Sequence, residues 1–139
     1  ELLENASMYL RNAGLLGPTE VVDATPGAFK KAFDHVMYGH PYSAFVSHYS
    51  LDELAGMRAL YLSGDSTAGI AVHDHGDGRI EGTALFSGGG GRGQVVLRHA
   101  IRHADVNYLE CFGEALRILY ENNGFVVDGG ITAAYTTPL

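Results

Sequence analysis

The chain has 139 residues, a length typical of one domain, and its hydrophobic fraction of 46% excludes a chain that is disordered throughout. Sixteen acidic residues outweigh nine lysines and arginines, which gives a net charge of −7. This charge argues against binding of the nucleic-acid phosphate backbone, because such binding needs a basic surface. A single cysteine, Cys111, excludes an internal disulfide, and no apolar run reaches the ~18 residues of a membrane span. We therefore expect an intracellular domain without a membrane segment.

The first predicted element is a helical arm over residues 1–20, where apolar residues recur at a loose spacing of three to four. Gly17 and Pro18 end that pattern. We assign residues 21–139 to the domain itself. Within it, Thr25 followed by Pro26 is typical of a helix start, and Ser50 with Glu53 has the pattern of a capping box.

Three strands separated by two turns follow, which predicts an antiparallel meander. These strands are expected at 60–62, 68–73 and 80–86. Beyond a run of glycines, the pattern predicts a helix at 94–103, a strand at 106–112, a helix at 114–122 and strands at 125–127 and 131–135. The order predicts an α/β (α+β) fold, with a mixed, mostly antiparallel sheet flanked by helices and a strand–glycine loop–helix crossover.

The glycine run extends from Gly88 to Gly93, with Arg92 as its only other residue, and it stands between a predicted strand and a predicted helix. Backbone N–H groups at a helix start are unpaired and attract phosphates, and glycine lets the backbone approach an anion closely. Arg92 would add a charge-assisted contact. The alternative is a flexible surface turn without a ligand.

Two motifs resemble those of the GNAT acetyltransferase superfamily, and the likeness covers residues 43 to 138. Gly91-Arg92-Gly93 is similar to the end of the family's acyl-CoA loop, and Leu119-Tyr120-Glu121-Asn122-Asn123-Gly124-Phe125 is similar to its Leu-Tyr-x-x-x-Gly-Phe signature. A narrower resemblance is to GNAT-like domains of phage and prophage proteins, through residues 104–112 and 135–138.

The resemblance implies an N-acyltransferase that uses acetyl-CoA as its donor substrate and an amine of unknown identity as acceptor. Tyr120 matches the position of the tyrosine that protonates the departing CoA thiolate. The residues expected to bind the cofactor-like donor are Leu85, Phe86, Ser87, Gly88, Gly89, Gly90, Gly91, Arg92 and Gly93.

Acyl transfer to an amine also needs a base that removes the amine's proton. Glu81 is the first candidate, because it lies early in the strand that leads to the glycine loop. His73 is the second, together with His75, since alternate residues of a strand face the same side. An exposed surface glutamate is the alternative for Glu81, and a core tyrosine is the alternative for Tyr120.

Three positions depart from the family pattern: Gly88, Gly113 and Leu116. They favour a second interpretation, a catalytically inactive GNAT-fold module that binds a partner or serves in a phage or prophage protein. A homo-oligomer or a phage-protein partner stays open, and the expected location is the bacterial cytoplasm, with a virion as the alternative. Nucleic acid and membrane partners are not expected.

No metal site is predicted. His99 and His103 share a helical face near Asp105, but a third ligand is not evident. The aromatic residues Tyr38, Tyr42, Phe45 and Tyr49 are assigned to the core, with a substrate cleft as the alternative.

Overall fold

The computed structural model of the chain describes residues 20–39, 48–88, 91–111, 122–127 and 133–136. Over these residues, seven strands form one sheet and three helices pack against it. The strands are β1 (Val21–Asp23), β2 (Ala59–Ser63), β3 (Ala68–Asp74), β4 (Ile80–Ser87), β5 (Tyr108–Cys111), β6 (Val126–Val127) and β7 (Ala133–Thr136), and the helices are α1 (Pro26–Met37), α2 (Leu51–Ala55) and α3 (Arg92–Ala104). None of the helices in the described ranges is both long and apolar enough for a membrane crossing.

The sheet has the strand order β1-β2-β3-β4-β5-β7-β6. Strands β1 to β4 pair antiparallel in succession, as do β5 with β7 and β7 with β6. Strand β4 pairs parallel with β5, and α3 forms the crossover between them. The predicted mixed, mostly antiparallel sheet with a strand–loop–helix crossover is therefore confirmed.

The helix starts follow from their capping residues. The Thr25 hydroxyl accepts a hydrogen bond of 3.1 Å from the backbone N–H of Ala28, and Pro26 opens α1. At α2, the Ser50 hydroxyl accepts from the N–H of Glu53 at 3.1 Å, while the Glu53 carboxylate accepts from the N–H of Ser50 at 2.8 Å. Both predicted starts are thus correct, because each side chain satisfies an otherwise unpaired N–H.

Two apolar clusters hold the layers together, one on each face of the sheet. On one face, α1 and α2 bury residues including Phe29, Phe33 and Leu54 against Ala71 and Phe86. On the other face, α3 buries side chains against β3 and β5. The second cluster includes Val96, Leu97, Ala100, Ile70, Val72 and Leu109. Some side chains of β4 therefore project toward α1 and others toward α3. Only side chains on the same face of the sheet can contact the same ligand.

Asn107, just before β5, ties the start of that strand to the start of β4. Its Oδ1 accepts from the N–H of Ile80 at 2.8 Å, its own N–H donates to the Ile80 carbonyl at 2.9 Å, and its Nδ2 donates to the Gly78 carbonyl at 3.0 Å. These bonds set the parallel register at the end of the two strands that lies away from the glycine loop.

Candidate active site

The parallel pair β4–β5 is short. Register partners are confined to Glu81 with Tyr108 and Gly82 with Leu109, although β4 continues to Ser87 and β5 continues to Cys111. From Thr83 to Phe86, the edge of β4 that faces β5 therefore has no ladder partner on β5 among the described residues. Such an edge leaves N–H and C=O groups available to hydrogen-bond a ligand that lies between the strands.

A β-bulge lies in β4 just beyond that pair. Gly69 pairs with Phe86 and Ala71 pairs with Thr83, so Ala84 and Leu85 together stand opposite Ile70. Ala84 has a φ of 52°, in the left-handed region that favours glycine. A bulge leaves one residue out of the ladder and redirects its backbone groups, and here it does so at the mouth of the gap between β4 and β5.

The glycine loop ends in a helix whose first N–H groups have no side-chain cap. Gly91 precedes α3 with a φ of 76°, and α3 begins at Arg92. A Cβ atom on Gly93 would lie 3.2 Å from the Cβ of Ser87, so glycine permits the close packing of the helix start on the end of β4. Gly88 is fixed by its N–H, which donates to the Thr67 carbonyl at 2.7 Å. The positive end of the α3 dipole thus lies at the far end of the gap.

The guanidinium of Arg92 forms an ion pair with Asp65, with Nε 2.7 Å from Oδ2. Asp65 also accepts hydrogen bonds from the hydroxyls of Ser63 and Thr67. Burial acts to raise the pKa of Asp65, but these hydrogen bonds and the charge of Arg92 outweigh it, so that the pKa is lowered overall. Arg92 is therefore held by a carboxylate, and its contact with phosphate stays a prediction.

Glu81 lies in a cluster of polar side chains on the α1 face of the sheet. Its Oε1 is 2.7 Å from Nε2 of His75, and both side chains are mostly buried, with exposed fractions of 15% for Glu81 and 24% for His75. Glu81 stands opposite His73 on β3 and Tyr108 on β5. The rings of His73 and His75 meet edge to face with centroids 4.5 Å apart. The structure thus brings together all three residues proposed as bases, and His75 is the one that contacts the carboxylate.

The rim of this cluster is charged. The Tyr108 hydroxyl donates to Glu110 at 2.7 Å, and the guanidinium of Arg79 lies 5.1 Å from the centre of the Tyr108 ring. The hydrogen bond to Glu110, burial and the charge of Glu110 raise the pKa of Tyr108, and Arg79 opposes them. Tyr108 therefore keeps its proton at neutral pH.

A small pocket opens on the α1 face beside the bulge. Its lining is largely aromatic and consists of Phe29, Lys30, Phe33, His48, Tyr49, Leu54 and Ala84. The Tyr49 hydroxyl lies 3.0 Å from Oγ1 of Thr83, which joins the pocket wall to β4. Tyr49 was assigned to the core, and it packs half-buried against the apolar cluster of α1 and α2 while it also lines the pocket. Tyr38 is 91% exposed, so the core assignment of Tyr38 is wrong. Tyr42 and Phe45 lie outside the described residues.

The other predicted site residues fall in two groups. Leu85, Phe86 and Ser87 line the end of β4, but the Phe86 side chain is 2% exposed and packs against Phe29 and Phe33, so its backbone is the part that faces the gap edge. Gly89, Gly90 and Tyr120 lie outside the described residues.

Two features were missed from the sequence. The bulge at Ala84 carries no glycine that would have signalled it, and no sequence pattern signalled the contact of Asp65 with Arg92. Within the described part of the chain, no three His, Cys, Asp or Glu side chains are arranged to hold an ion.

Comparison with known proteins identifies structural neighbours but no sequence relatives. No protein-family model and no curated protein sequence matches the chain. Among solved structures, a "putative N-acetyltransferase" from Lactobacillus plantarum superposes with a TM-score of 0.63 at 13% identity, over 85% of this chain and 96% of the other. A "putative acyl-CoA N-acyltransferase" from Klebsiella pneumoniae gives a TM-score of 0.53 at 16% identity, over 86% of this chain and 97% of the other. The chain therefore has the fold of these two structures, which is the GNAT-like fold expected from the sequence.

Proposed function

We propose that the protein is an N-acyltransferase that moves the acetyl group of acetyl-CoA onto an amine. The observation that carries this proposal is the gap between β4 and β5, which begins after Gly82, has the bulge at its mouth and ends at the uncapped start of α3. The names of the two structural neighbours support the same chemistry and, in the second case, an acyl-CoA donor.

The gap suits a thioester donor in three ways. The open edge of β4 offers backbone groups to the amides of the pantetheine arm, and the start of α3 offers N–H groups to the pyrophosphate. The N–H of Leu85, in the bulge, is the donor proposed for the thioester carbonyl oxygen, where negative charge develops during attack. In this arrangement the guanidinium of Arg92 releases Asp65 and binds a phosphate in its place.

The acceptor would approach from the α1 face, through the pocket beside Ala84. Its nitrogen attacks the thioester carbon, the carbon–sulfur bond breaks, and the nitrogen's proton passes to Glu81. Glu81 lies three residues before Ala84, or about 10 Å along the strand, so a chain of water molecules would carry the proton over the distance that the glutamate side chain does not reach. Tyr120 is the proposed acid for the departing thiolate, and this assignment rests on the sequence resemblance.

Donor binding is the first test. Isothermal titration calorimetry with acetyl-CoA should give saturable binding in the micromolar range for the wild-type protein. Gly91→Pro should abolish it, because proline cannot adopt the φ of 76° that places the start of α3. Gly27→Ala, in α1 with open space around its Cβ, is the matched control and should bind like the wild type. An absence of binding at millimolar acetyl-CoA in the wild type would refute the proposal and favour the non-catalytic binding module.

Transfer is the second test. Release of CoA thiol would be followed with a panel of primary amines and amino-terminal peptides. Glu81→Gln should lower kcat about 100-fold without changing donor affinity, because a positioned base contributes about 10²–10⁴ in rate. Binding of donor without turnover on any amine would leave the fold with a ligand but no acyl transfer, and the enzymatic part of the proposal would be rejected.

A further inference from the structure

We propose that His75 is a positioning residue for Glu81, holding one carboxylate oxygen so that the other is presented as the base. This inference rests on the proposed acyl transfer and assigns a role within it. It changes the place of the histidines in the site, because His75 then serves the glutamate and does not compete with it for the substrate's proton.

The contact has the geometry of a strong hydrogen bond. Nε2 of His75 is 2.7 Å from Oε1 of Glu81, at the short end of the range for an N–H bonded to a carboxylate. An ionised carboxylate only accepts hydrogen bonds, so the imidazole must donate. With both side chains mostly buried, water competes weakly for the pair.

The bond leaves Oε2 of Glu81 without a hydrogen-bond partner among the residues that the structure describes. A carboxylate with one oxygen held and one open has a fixed orientation and a fixed lone-pair direction. Glu81 is on the third strand of the β2–β3–β4 meander, whereas His75 begins the turn between β3 and β4, where its N–H donates to the Arg79 carbonyl at 3.0 Å. The β3–β4 turn thus fixes the backbone position of His75, and the His75 side chain fixes the orientation of the Glu81 carboxylate.

The position of His75 along the sheet excludes it as the direct base. The bulge lies toward the glycine loop from Glu81, and His75 lies beyond Glu81 on the opposite side, where β3 ends. Its neighbours are a second imidazole and groups from the turn and from β5, namely His73, Asp77, Arg79 and Tyr108. Glu110 lies one contact further away, on the Tyr108 hydroxyl.

A stability cycle tests the contact without reference to activity. Unfolding midpoints in urea would be measured for His75→Ala, Glu81→Ala and the double variant. A contact in solution makes the two single losses non-additive, so the double variant should unfold at a higher midpoint than the sum of the singles predicts. Full additivity would show that the two side chains are uncoupled and would overturn the proposal.

Kinetics then separate positioning from a structural role. His75→Ala should lower kcat about 10- to 100-fold, the size of effect that a misplaced catalytic group produces, with the KM for acetyl-CoA unchanged. His75→Gln keeps an N–H donor and should recover most of the lost rate. The exposed His35 in α1 supplies the control, and His35→Ala should match the wild type. In a Glu81→Gln background, His75→Ala should produce little further loss, because the group that it positions is already gone.

The outcomes also distinguish this inference from the proposed function. Normal transfer by His75→Ala, or a loss that adds in full to that of Glu81→Gln, overturns the positioning role and leaves acyl transfer standing. An equal loss in His75→Ala and His75→Gln at every pH would reduce His75 to a structural residue. If the wild type binds acetyl-CoA but transfers to no amine, the proposed function fails and the positioning role falls with it, whatever the stability cycle shows.

Discussion

The Tyr49 hydroxyl and the Thr83 hydroxyl lie 3.0 Å apart, and this bond joins the segment before α2 to the residue just ahead of the β4 bulge. Thr83 is 7% exposed, so its hydroxyl depends on that partner for a hydrogen bond that water would otherwise supply. A hydrogen bond therefore connects the pocket wall at Tyr49 to the β4 bulge next to Thr83.

Removal of either hydroxyl should reveal the bond. Tyr49→Phe and Thr83→Val should each lower the free energy of unfolding, and the double variant should show a coupling of about 1 kcal/mol, the usual net value of a hydrogen bond in a folded protein. Urea denaturation of the four proteins measures it. Additive effects of the two substitutions would mean that the hydroxyls do not interact in solution.

Ala84 carries the backbone strain of the bulge. A residue with a Cβ atom at a φ of 52° costs about 1–3 kcal/mol, and a β-branched side chain costs more than alanine there. Ala84→Val should therefore lower the free energy of unfolding by about 2 kcal/mol. Ala84→Gly should stay within about 1 kcal/mol of the wild type, because the relief of strain and the loss of a buried methyl group oppose each other. Thermal unfolding of both variants checks the order, and a valine variant as stable as the glycine variant would contradict it.

Gly82 is the last paired residue before β4 and β5 part, and it has no room for a side chain. A Cβ atom there would lie 2.9 Å from Cδ1 of Ile70 and 2.9 Å from Cδ2 of Leu109, both of them buried. Gly82→Ala should cost about 1–3 kcal/mol through overpacking. Gly27→Ala, at an open helical position, should raise stability by about 0.5–1 kcal/mol, because alanine has the higher helix propensity. Opposite signs for these two substitutions in urea denaturation are the expected result.

His99 should make stability depend on pH near neutrality. Burial and the neighbouring His103 lower the pKa of His99 below its ordinary 6.5, although Asp23 opposes them. As the pH falls through 6.5, the unfolded chain takes up this proton before the folded chain does, so stability present above that pH is lost as the pH falls toward the folded pKa.

His99→Gln should remove this component. Its free energy of unfolding should therefore fall less than that of the wild type between about pH 7.5 and about pH 5.5. Parallel curves for the wild type and His99→Gln would show that His99 titrates alike in both states.

The sequence predicted the elements whose apolar pattern is long enough to have a period. The strands at 60–62, 68–73 and 80–86 were each found within two residues of their expected ends, and the helix expected at 94–103 spans 92–104. Strand β1 was not predicted, because three residues contain no alternation that distinguishes them from a loop. It forms because Val21, Val22 and Asp23 pair with the edge of β2, a tertiary effect.

The candidate site was predicted only in part, because its geometry also depends on tertiary contacts. Alternation along one strand places His73 and His75 on one face, but which of them meets Glu81 depends on the conformation of the turn after β3. The open edge of β4 depends on where the parallel pairing stops, and no residue type signals the bulge that lies just beyond that point. The proposed acid Tyr120 lies outside the described residues and stays a prediction.

Because the β4–β5 ladder is short, we expect the sheet to behave as two cooperative units, β1-β2-β3-β4 and β5-β7-β6. Among the described residues, two register pairs and the bonds of Asn107 connect the backbones of these two units, so we expect the units to open separately in hydrogen exchange. A ligand that hydrogen-bonds to both β4 and β5 would connect the two units. Binding of such a ligand should then slow amide exchange in both units together, because it stabilises the sheet as a whole.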